Sequence, residues 1–256
     1  SSDLADLAGN ASGMTAAFAL PIDQTAPNAV TALTLNGRPD AELTNSATLA
    51  LTGVAEPGSH VWLRLDGQAL STVTAHASTG VWSYTSTSVL SDGPHNLSLQ
   101  VEDAAGNLGM LRTQIFTVDT VPPLTPVVTG MSVATDSGLS STDRLTRNTL
   151  PVFNGTAEPR SQVALFLGTS TTAFATVTAD QDGNWSATLG NALTTAGNYS
   201  VRGQATDVAG NVSSLGAALN FVFDNVAPTS SMAVVSEDDA INAQEKTKGV
   251  TLSGST

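Results

Sequence analysis

The sequence contains no cysteine, so neither disulfides nor thiolate metal sites contribute to its fold. Basic residues are scarce: 9 Lys and Arg stand against 22 Asp and Glu, and the net charge of −13 argues against nucleic acids and anionic membranes as partners. No apolar run approaches the roughly 18 residues of a membrane span, so membrane insertion is not expected. The chain opens on Ser1, Ser2 and Asp3, not on a basic and apolar signal, as expected of an interior fragment.

Aromatic residues make up only 5% of the chain and charged residues only 12%, whereas Ser, Thr, Ala, Val and Gly are abundant. This composition favours short β-strands separated by turns. Two stretches alternate with period two, which places one set of apolar side chains on a single face of a half-buried strand. The two sets are Val61, Leu63 and Leu65, and Val163, Leu165 and Leu167. Asp66-Gly67 and Asp182-Gly183 have the composition of hairpin turns.

The chain repeats itself with a period close to 100 residues, which indicates a tandem array. The motif GVAEP at 53–57 returns 102 residues later as GTAEP at 155–159. Trp82-Ser83 returns as Trp185-Ser186, and DAAGN at 103–107 returns as DVAGN at 207–211. An earlier copy, DLAGN, stands at 6–10, so the chain is expected to begin inside a preceding repeat.

An Asp followed closely by Pro marks each predicted junction, at Asp23, Asp119 and Asp224. Proline fixes φ and donates no ladder hydrogen bond, so it ends a strand and stiffens the connection. We therefore predict the closing hairpin of one repeat at 1–23, full repeats at 24–119 and 120–224, and a truncated repeat at 225–256. Such short connections predict a jointed rod.

About seven short strands in roughly 100 residues, with frequent turn signals, are typical of the immunoglobulin-like sandwich. The fold class predicted is therefore all-β, with tandem immunoglobulin-like sandwiches. Trp82 and Trp185 are interpreted as core anchors, and His95, which aligns with Tyr199, as a structural ring at a strand start.

Four of these motifs, AEPGS at 55–59, Trp82-Ser83, DAAGN at 103–107 and DTVP at 119–122, resemble the bacterial immunoglobulin-like repeats of giant adhesins. Those adhesins include biofilm-associated and RTX-type surface proteins. The resemblance covers essentially the whole chain. It implies export, display on the bacterial cell surface, and repeats that hold a distal binding domain away from the cell. Many relatives are stiffened by calcium at their junctions, although the region 130–150 lacks an equal-length counterpart in the first repeat.

Acidic residues recur where an immunoglobulin-like topology gathers loops at one end of the sandwich. Gathered carboxylates repel one another unless a cation lies between them, and calcium prefers six to eight oxygen ligands. We therefore predict calcium at the junctions. The candidate ligands are Asp23, Glu56 and Asp103 for the first repeat, Asp119, Glu158 and Asp207 for the second, and Asp136, Asp143 and Asp224 in addition. The alternative is that these acids only form turns, for which Asp before Pro and the Asp-x-Ala-Gly-Asn loops are well suited.

No nucleophile elbow, phosphate-binding Gly loop or paired-acid cleft is present, so the chain is not expected to be an enzyme. The leading hypothesis is a structural extender whose partners are the neighbouring repeats of the same chain, with any glycan or host ligand bound elsewhere in the parent protein. A second hypothesis is that one repeat itself binds a glycan or host protein, for which exposed Trp62, aligned with Ala164, is the best candidate. A third is a spacer within a large secreted enzyme.

Overall fold

The computed structural model describes residues 22–229 and the backbone of two short strands at 231–232 and 254–255. Every regular element in this part of the chain is a β-strand. It contains no helix that is long and apolar enough to cross a membrane. The predicted hairpin in 1–23, except for its last two residues, and most of the predicted repeat at 225–256 lie outside the described residues.

The chain divides into two compact units, and the division lies between Val121 and Pro122. We call them unit 1 and unit 2. The predicted boundary at Asp119 lies two residues before this division. Each unit is a sandwich of two sheets, so the all-β immunoglobulin-like prediction is confirmed.

Between residues 22 and 121, unit 1 contains nine strands, two of them only two residues long. They are β1 (Thr31–Leu35), β2 (Arg38–Pro39), β3 (Leu43–Thr44), β4 (Ala50–Val54), β5 (His60–Leu65), β6 (Gln68–Thr74), β7 (Val81–Thr85), β8 (Gly93–Glu102) and β9 (Arg112–Val118). One sheet has the order β2-β1-β4-β7 and the other β3-β9-β8-β5-β6. All pairings are antiparallel except that of β3 with the last strand, β9.

Between residues 122 and 229, unit 2 repeats this plan with eight strands. They are β10 (Val127–Met131), β11 (Leu145–Thr146), β12 (Val152–Thr156), β13 (Gln162–Leu167), β14 (Ala175–Thr178), β15 (Asn184–Thr188), β16 (Gly197–Thr206) and β17 (Leu219–Phe223). Its sheets have the orders β10-β12-β15 and β11-β17-β16-β13-β14, with β11 parallel to β17. The backbone strands β18 (Ser231–Met232) and β19 (Gly254–Ser255) pair antiparallel.

Alternation along the strands places the core as the sequence predicted. On β8 the side chains of Leu97, Leu99 and Val101 are fully buried, while those between them face outward. Val61 and Leu63 on the neighbouring strand β5 are buried beside them, and Val163 and Leu165 on β13 are buried in the core of unit 2. Trp82 and Trp185 are 2% and 4% exposed, which confirms them as core anchors.

The two Asp-Gly turns differ. Asp66 and Gly67 both have positive φ, 51° and 78°, which is the type I′ geometry of a tight hairpin between β5 and β6. Asp182-Gly183 instead joins β14 of one sheet to β15 of the other, so the hairpin prediction is wrong there. A local turn signal reports chain reversal, but which strand the chain then pairs with depends on the packing of the two sheets.

Candidate functional site

The loop after β8 is held closed by the carboxylate of Asp103. Its Oδ1 accepts hydrogen bonds from the backbone N–H groups of Ala105 and Asn107, both at 2.8 Å, and its Oδ2 accepts one from the Asn107 amide at 2.7 Å. Because donors favour the ionised form, the Asn107 side chain, followed by the backbone amides, lowers the pKa of Asp103 below its ordinary value of 3.8, against the opposing effect of burial. Both oxygens of Asp103 therefore already serve the loop.

The loop after β16 is closed in the same way by Asp207. Its Oδ1 accepts from the backbone N–H groups of Gly210 at 2.7 Å and Asn211 at 2.8 Å, and its Oδ2 accepts from the Asn211 amide at 2.9 Å. The recurring Asp-x-Ala-Gly-Asn motif thus has a structural cause in both units: one Asp and one Asn satisfy the polar groups of a tight loop.

The three Asp residues before Pro also form local turns. In each, Oδ1 accepts the backbone N–H two residues further on, from Asp23 to Thr25 at 2.9 Å, Asp119 to Val121 at 3.1 Å, and Asp224 to Val226 at 2.9 Å. This hydrogen bond bends the backbone directly ahead of the proline. Turn formation therefore accounts for one carboxylate oxygen of each of these three predicted calcium ligands.

Asp23 lies at the same end of unit 1 as Asp103. The Asn107 side-chain amide, which binds Asp103, also donates to the Asp23 backbone carbonyl at 3.2 Å. Glu56 is exposed and lies on a surface depression of about 290 Å³ that is also lined by Asn28 and Pro57. Asp23 and Asp103 thus share a hydrogen-bonded amide, whereas Glu56 lies beside the segment that leads into β1.

Glu158 occupies the equivalent position in unit 2, exposed on a depression of about 350 Å³ beside Leu124 and Pro159. Asp119 is the predicted partner of Glu158 and Asp207. It belongs to unit 1, whereas Glu158 and Asp207 belong to unit 2.

A serine that the sequence analysis did not single out holds the Ala-Glu-Pro turn in both units. The Glu56 carbonyl accepts from the Ser59 hydroxyl at 2.7 Å and from its backbone N–H at 3.1 Å. Ser161 gives the Glu158 carbonyl the same two hydrogen bonds at the same distances. Both serines are buried, at 2% and 0% exposure. The repeated signal was therefore Ala-Glu-Pro-x-Ser, with Ser as the residue that the turn requires.

Ser161→Ala is expected to destabilise unit 2 by about 1 kcal/mol, because the substitution removes a hydroxyl hydrogen bond and leaves a poorly satisfied carbonyl. Thermal unfolding followed by circular dichroism would show a lower Tm. Ser170→Ala, in an exposed turn where the hydroxyl donates to the Thr172 carbonyl, is the matched control. Equal shifts for the two variants would contradict a special role for Ser161.

Asp136 differs from the other predicted ligands because it is buried, at 5% exposure. Its Oδ2 accepts the Arg144 backbone N–H at 3.2 Å, whereas its buried Oδ1 has no hydrogen-bond partner among residues 22–229. Asp143 accepts the next amide along the chain, that of Leu145, at 3.0 Å. Both acids thus accept hydrogen bonds from the same short segment. Oδ1 of Asp136 is desolvated without a compensating hydrogen bond from residues 22–229.

Across residues 22–229, no three His, Asp or Glu side chains lie close enough together to hold a metal ion. Calcium, whose sites usually draw on several carboxylates, stays a prediction. Backbone carbonyls and amide oxygens supply many calcium ligands, and the buried carboxylate oxygen of Asp136 is of the kind that calcium binds.

His95 and Tyr199 do the same structural task at the starts of β8 and β16. The Tyr199 hydroxyl donates to the Thr195 carbonyl at 2.8 Å, and the His95 Nε2 lies 2.9 Å from the Ser91 carbonyl, in both cases four residues back. Each ring packs on a phenylalanine of the last strand, with centroids 5.6 Å apart. This hydrogen bond is the corner that a tyrosine commonly forms in immunoglobulin-like sandwiches.

Trp62 lies on the outward face of β5 and is 47% exposed. Its Nε1–H donates to Glu102 Oε2 at 2.6 Å. The sequence analysis identified Trp62, but not the neighbours that hold it, because Glu102 is 40 residues away in the chain.

Several solved structures are similar to this chain. The fibronectin(III)-like modules of Clostridium thermocellum CbhA are 12% identical with a TM-score of 0.47, over 75% of this chain and 93% of theirs. A 1.5-MDa bacterial ice-binding adhesin is 20% identical with a TM-score of 0.37, over 89% and 76%. A Ca²⁺-stabilized adhesin that helps an Antarctic bacterium bind ice is 23% identical with a TM-score of 0.35, over 91% and 58%. No curated protein matches the chain.

The sequence profile of the bacterial Ig-like domain matches the chain twice, over residues 29–120 and 123–225. These two ranges coincide closely with the sandwiches of units 1 and 2 and together cover most of the chain. The chain therefore belongs to the bacterial Ig-like domain family.

Proposed function

We propose that this chain is part of the extender region of a large secreted bacterial surface protein, in which the repeats hold a distal binding domain away from the cell and bear tensile load. The observation that carries the proposal is the parallel pairing of an early strand with the last strand in both units. In unit 1, β3 pairs with β9, and in unit 2, β11 pairs with β17.

This pairing has a mechanical consequence. When a unit is pulled by its two ends, β3 is drawn one way and β9 the other, along the strand axis. Because the strands are parallel, their slanted hydrogen bonds are loaded together in shear and do not open one after another. In unit 1 the hydrogen bonds loaded in this way include Thr117 N–H to the Glu42 carbonyl at 2.8 Å and Asp119 N–H to the Thr44 carbonyl at 2.9 Å.

Single-molecule stretching of the whole chain tests this role. We expect two unfolding events, each releasing about 30 nm of chain, since an extended residue spans roughly 3.5 Å. Thr117→Pro removes the donor to the Glu42 carbonyl without touching unit 2, and should lower the unfolding force of one event only. Val222→Pro, which removes the donor to the Arg144 carbonyl, is the matched change in unit 2. Smooth extension without discrete events would contradict a load-bearing role.

We further propose that calcium stiffens the array. The support is Oδ1 of Asp136, which is buried and has no hydrogen-bond partner in residues 22–229, and the recurrence of exposed Glu56 and Glu158 on equivalent depressions. An ion that binds only the folded form raises stability by RT ln(1 + [L]/Kd), which is about 2.7 kcal/mol at a hundredfold excess over Kd.

A calcium titration of the melting temperature tests this part separately. We expect Tm to rise with calcium and not with equal magnesium, and the rise to shrink in Asp136→Asn. Small-angle scattering with and without calcium should show a more extended particle when the ion is bound. If Tm is unchanged at millimolar calcium, turn formation alone explains why these acidic residues recur. The load-bearing proposal would then be tested by the stretching experiment alone.

A further inference from the structure

The outward face of β5 and β8 in unit 1 carries a group of side chains that the sandwich does not need. The Trp62 indole stands there between Thr72 of β6 and Gln100 of β8, its two cross-strand neighbours. The bond from Nε1 to Glu102 fixes the ring in one orientation. The other two tryptophans, Trp82 and Trp185, are buried.

Beside the indole is an open depression of about 280 Å³. Its lining is Trp62, Arg64, Gln100, Glu102 and Leu108. Arg64 forms no ion pair within the described part of the chain, whose two ion pairs are His95–Asp66 and Arg112–Asp40. Glu102 uses Oε2 for Trp62, and Oε1 has no protein donor among residues 22–229. A fixed aromatic face, a cationic donor and an anionic acceptor thus meet at one place.

Unit 2 shows that the fold does not require this group. The same positions on β13 are Ala164 and Phe166, and the position of Glu102 on β16 is Thr206. The surrounding core is equivalent in the two units, so these differences concern the outer surface alone.

From this arrangement we infer that the Trp62 face binds one ring of a neutral saccharide. The apolar C–H face of a pyranose packs on the exposed indole, and its hydroxyls, which both donate and accept, match Arg64 and the free oxygen of Glu102. Arg64 and Glu102 carry opposite charges at one place, so together they favour neither an anion nor a cation, and a wholly apolar ligand leaves both groups unpaired and desolvated. The depression lies just below the size range of pockets that hold drug-sized ligands, as expected for a single ring.

Fluorine NMR of the whole chain labelled with 5-fluorotryptophan tests the inference. Its three tryptophans give three resonances, and loss of one in Trp62→Phe assigns the exposed ring. The probes are the neutral methyl pyranosides of glucose, galactose and mannose. We expect at least one to shift the Trp62 resonance with saturation in the millimolar range, while the buried rings do not move.

Variants distinguish a specific binding site from nonspecific stacking on an exposed ring. Trp62→Ala should abolish binding, seen by saturation-transfer NMR on the sugar, and Arg64→Ala should weaken it several-fold with the fold intact by circular dichroism. Ala164→Trp places a tryptophan on unit 2 where the positions of Arg64 and Glu102 hold Phe166 and Thr206, and it should bind at least tenfold more weakly than Trp62. The inference is overturned if no neutral pyranoside shifts Trp62. It is equally overturned if a methyl glucuronide or a basic peptide binds as well as the neutral sugars, or if the added tryptophan matches Trp62.

Discussion

Gly155→Ala is expected to destabilise unit 2 by about 3 kcal/mol, because its new methyl group has no space. A Cβ at this position would lie 2.1 Å from Cζ2 of Trp185 and 2.1 Å from the carbonyl oxygen of Val127. The ring is enclosed in the core and the carbonyl belongs to the neighbouring strand β10, so both would have to shift. Gly155 is the first residue of the repeated GTAEP motif, and contact with the core tryptophan explains why Gly stands there.

Gly53→Ala should be destabilising for a simpler reason. There the three atoms nearest to the Cβ would all belong to the Trp82 ring, with Cζ2 at 2.6 Å. A smaller ring relieves that clash, so Trp82→Phe and Gly53→Ala together should cost clearly less than the sum of the two single changes. Trp185→Phe should rescue Gly155→Ala less, because the Val127 carbonyl still blocks the methyl group.

Urea unfolding of the single and double variants gives these coupling free energies. Gly197→Ala is the matched control, since a Cβ on this strand residue would meet no atom within 4 Å. Full additivity of Gly53→Ala with Trp82→Phe would contradict the glycine–tryptophan contact as the cause.

The stability of unit 1 is expected to fall as the pH rises above 6.5, the ordinary pKa of histidine, while that of unit 2 stays level, because His95 stands where unit 2 has Tyr199. The two ring nitrogens of His95 face two acceptors, the Ser91 carbonyl and Asp66 Oδ2, at 2.9 and 2.8 Å. Only the doubly protonated ring donates to both. The remaining acid nearby, Asp92, accepts from the backbone N–H and hydroxyl of Thr120.

The direction of the effect follows from the pKa. The Ser91 carbonyl first, and then the Asp66 carboxylate, raises the pKa of His95 above its ordinary value of 6.5, against the opposing effect of burial. A group with a raised pKa in the folded state stabilises fully below the unfolded value and loses this contribution as the pH rises through the folded value. The Asn96 backbone amide, followed by His95, lowers the pKa of Asp66 below 3.8, so its own contribution is lost only in more acidic solution.

Hydrogen exchange measured by mass spectrometry resolves the two units within the intact chain. Amides of β8 should exchange faster at pH 8 than at pH 6 after correction for intrinsic rates, and those of β16 should not. His95→Tyr should remove the pH dependence, and Tyr199→His, which has no Asp66 opposite it, should introduce only a small one. A β8 response that persists in His95→Tyr would show that another group is responsible.

Sequence periodicity predicted most of the fold because its signals are local. Alternation along β5, β8, β13 and β16 requires only neighbouring residues, and a repeat of about 100 residues locates both sandwiches without any contact information. The same local reasoning was wrong for Asp182-Gly183, because the turn residues specify a reversal and not the sheet that the chain enters next.

The amino-acid sequence by itself determined the all-β class, the repeats and the buried tryptophans, and it gave turn formation by Asp at each predicted junction only as the alternative to calcium binding. Tertiary structure alone decided which distant groups meet: Asn107 with the Asp23 carbonyl across 84 residues, and Trp62 with Glu102 across 40. It also decided that a glycine packs on each core tryptophan and that β3 and β11 run parallel to the last strands. These contacts depend on strand order and register, which no short window of sequence contains.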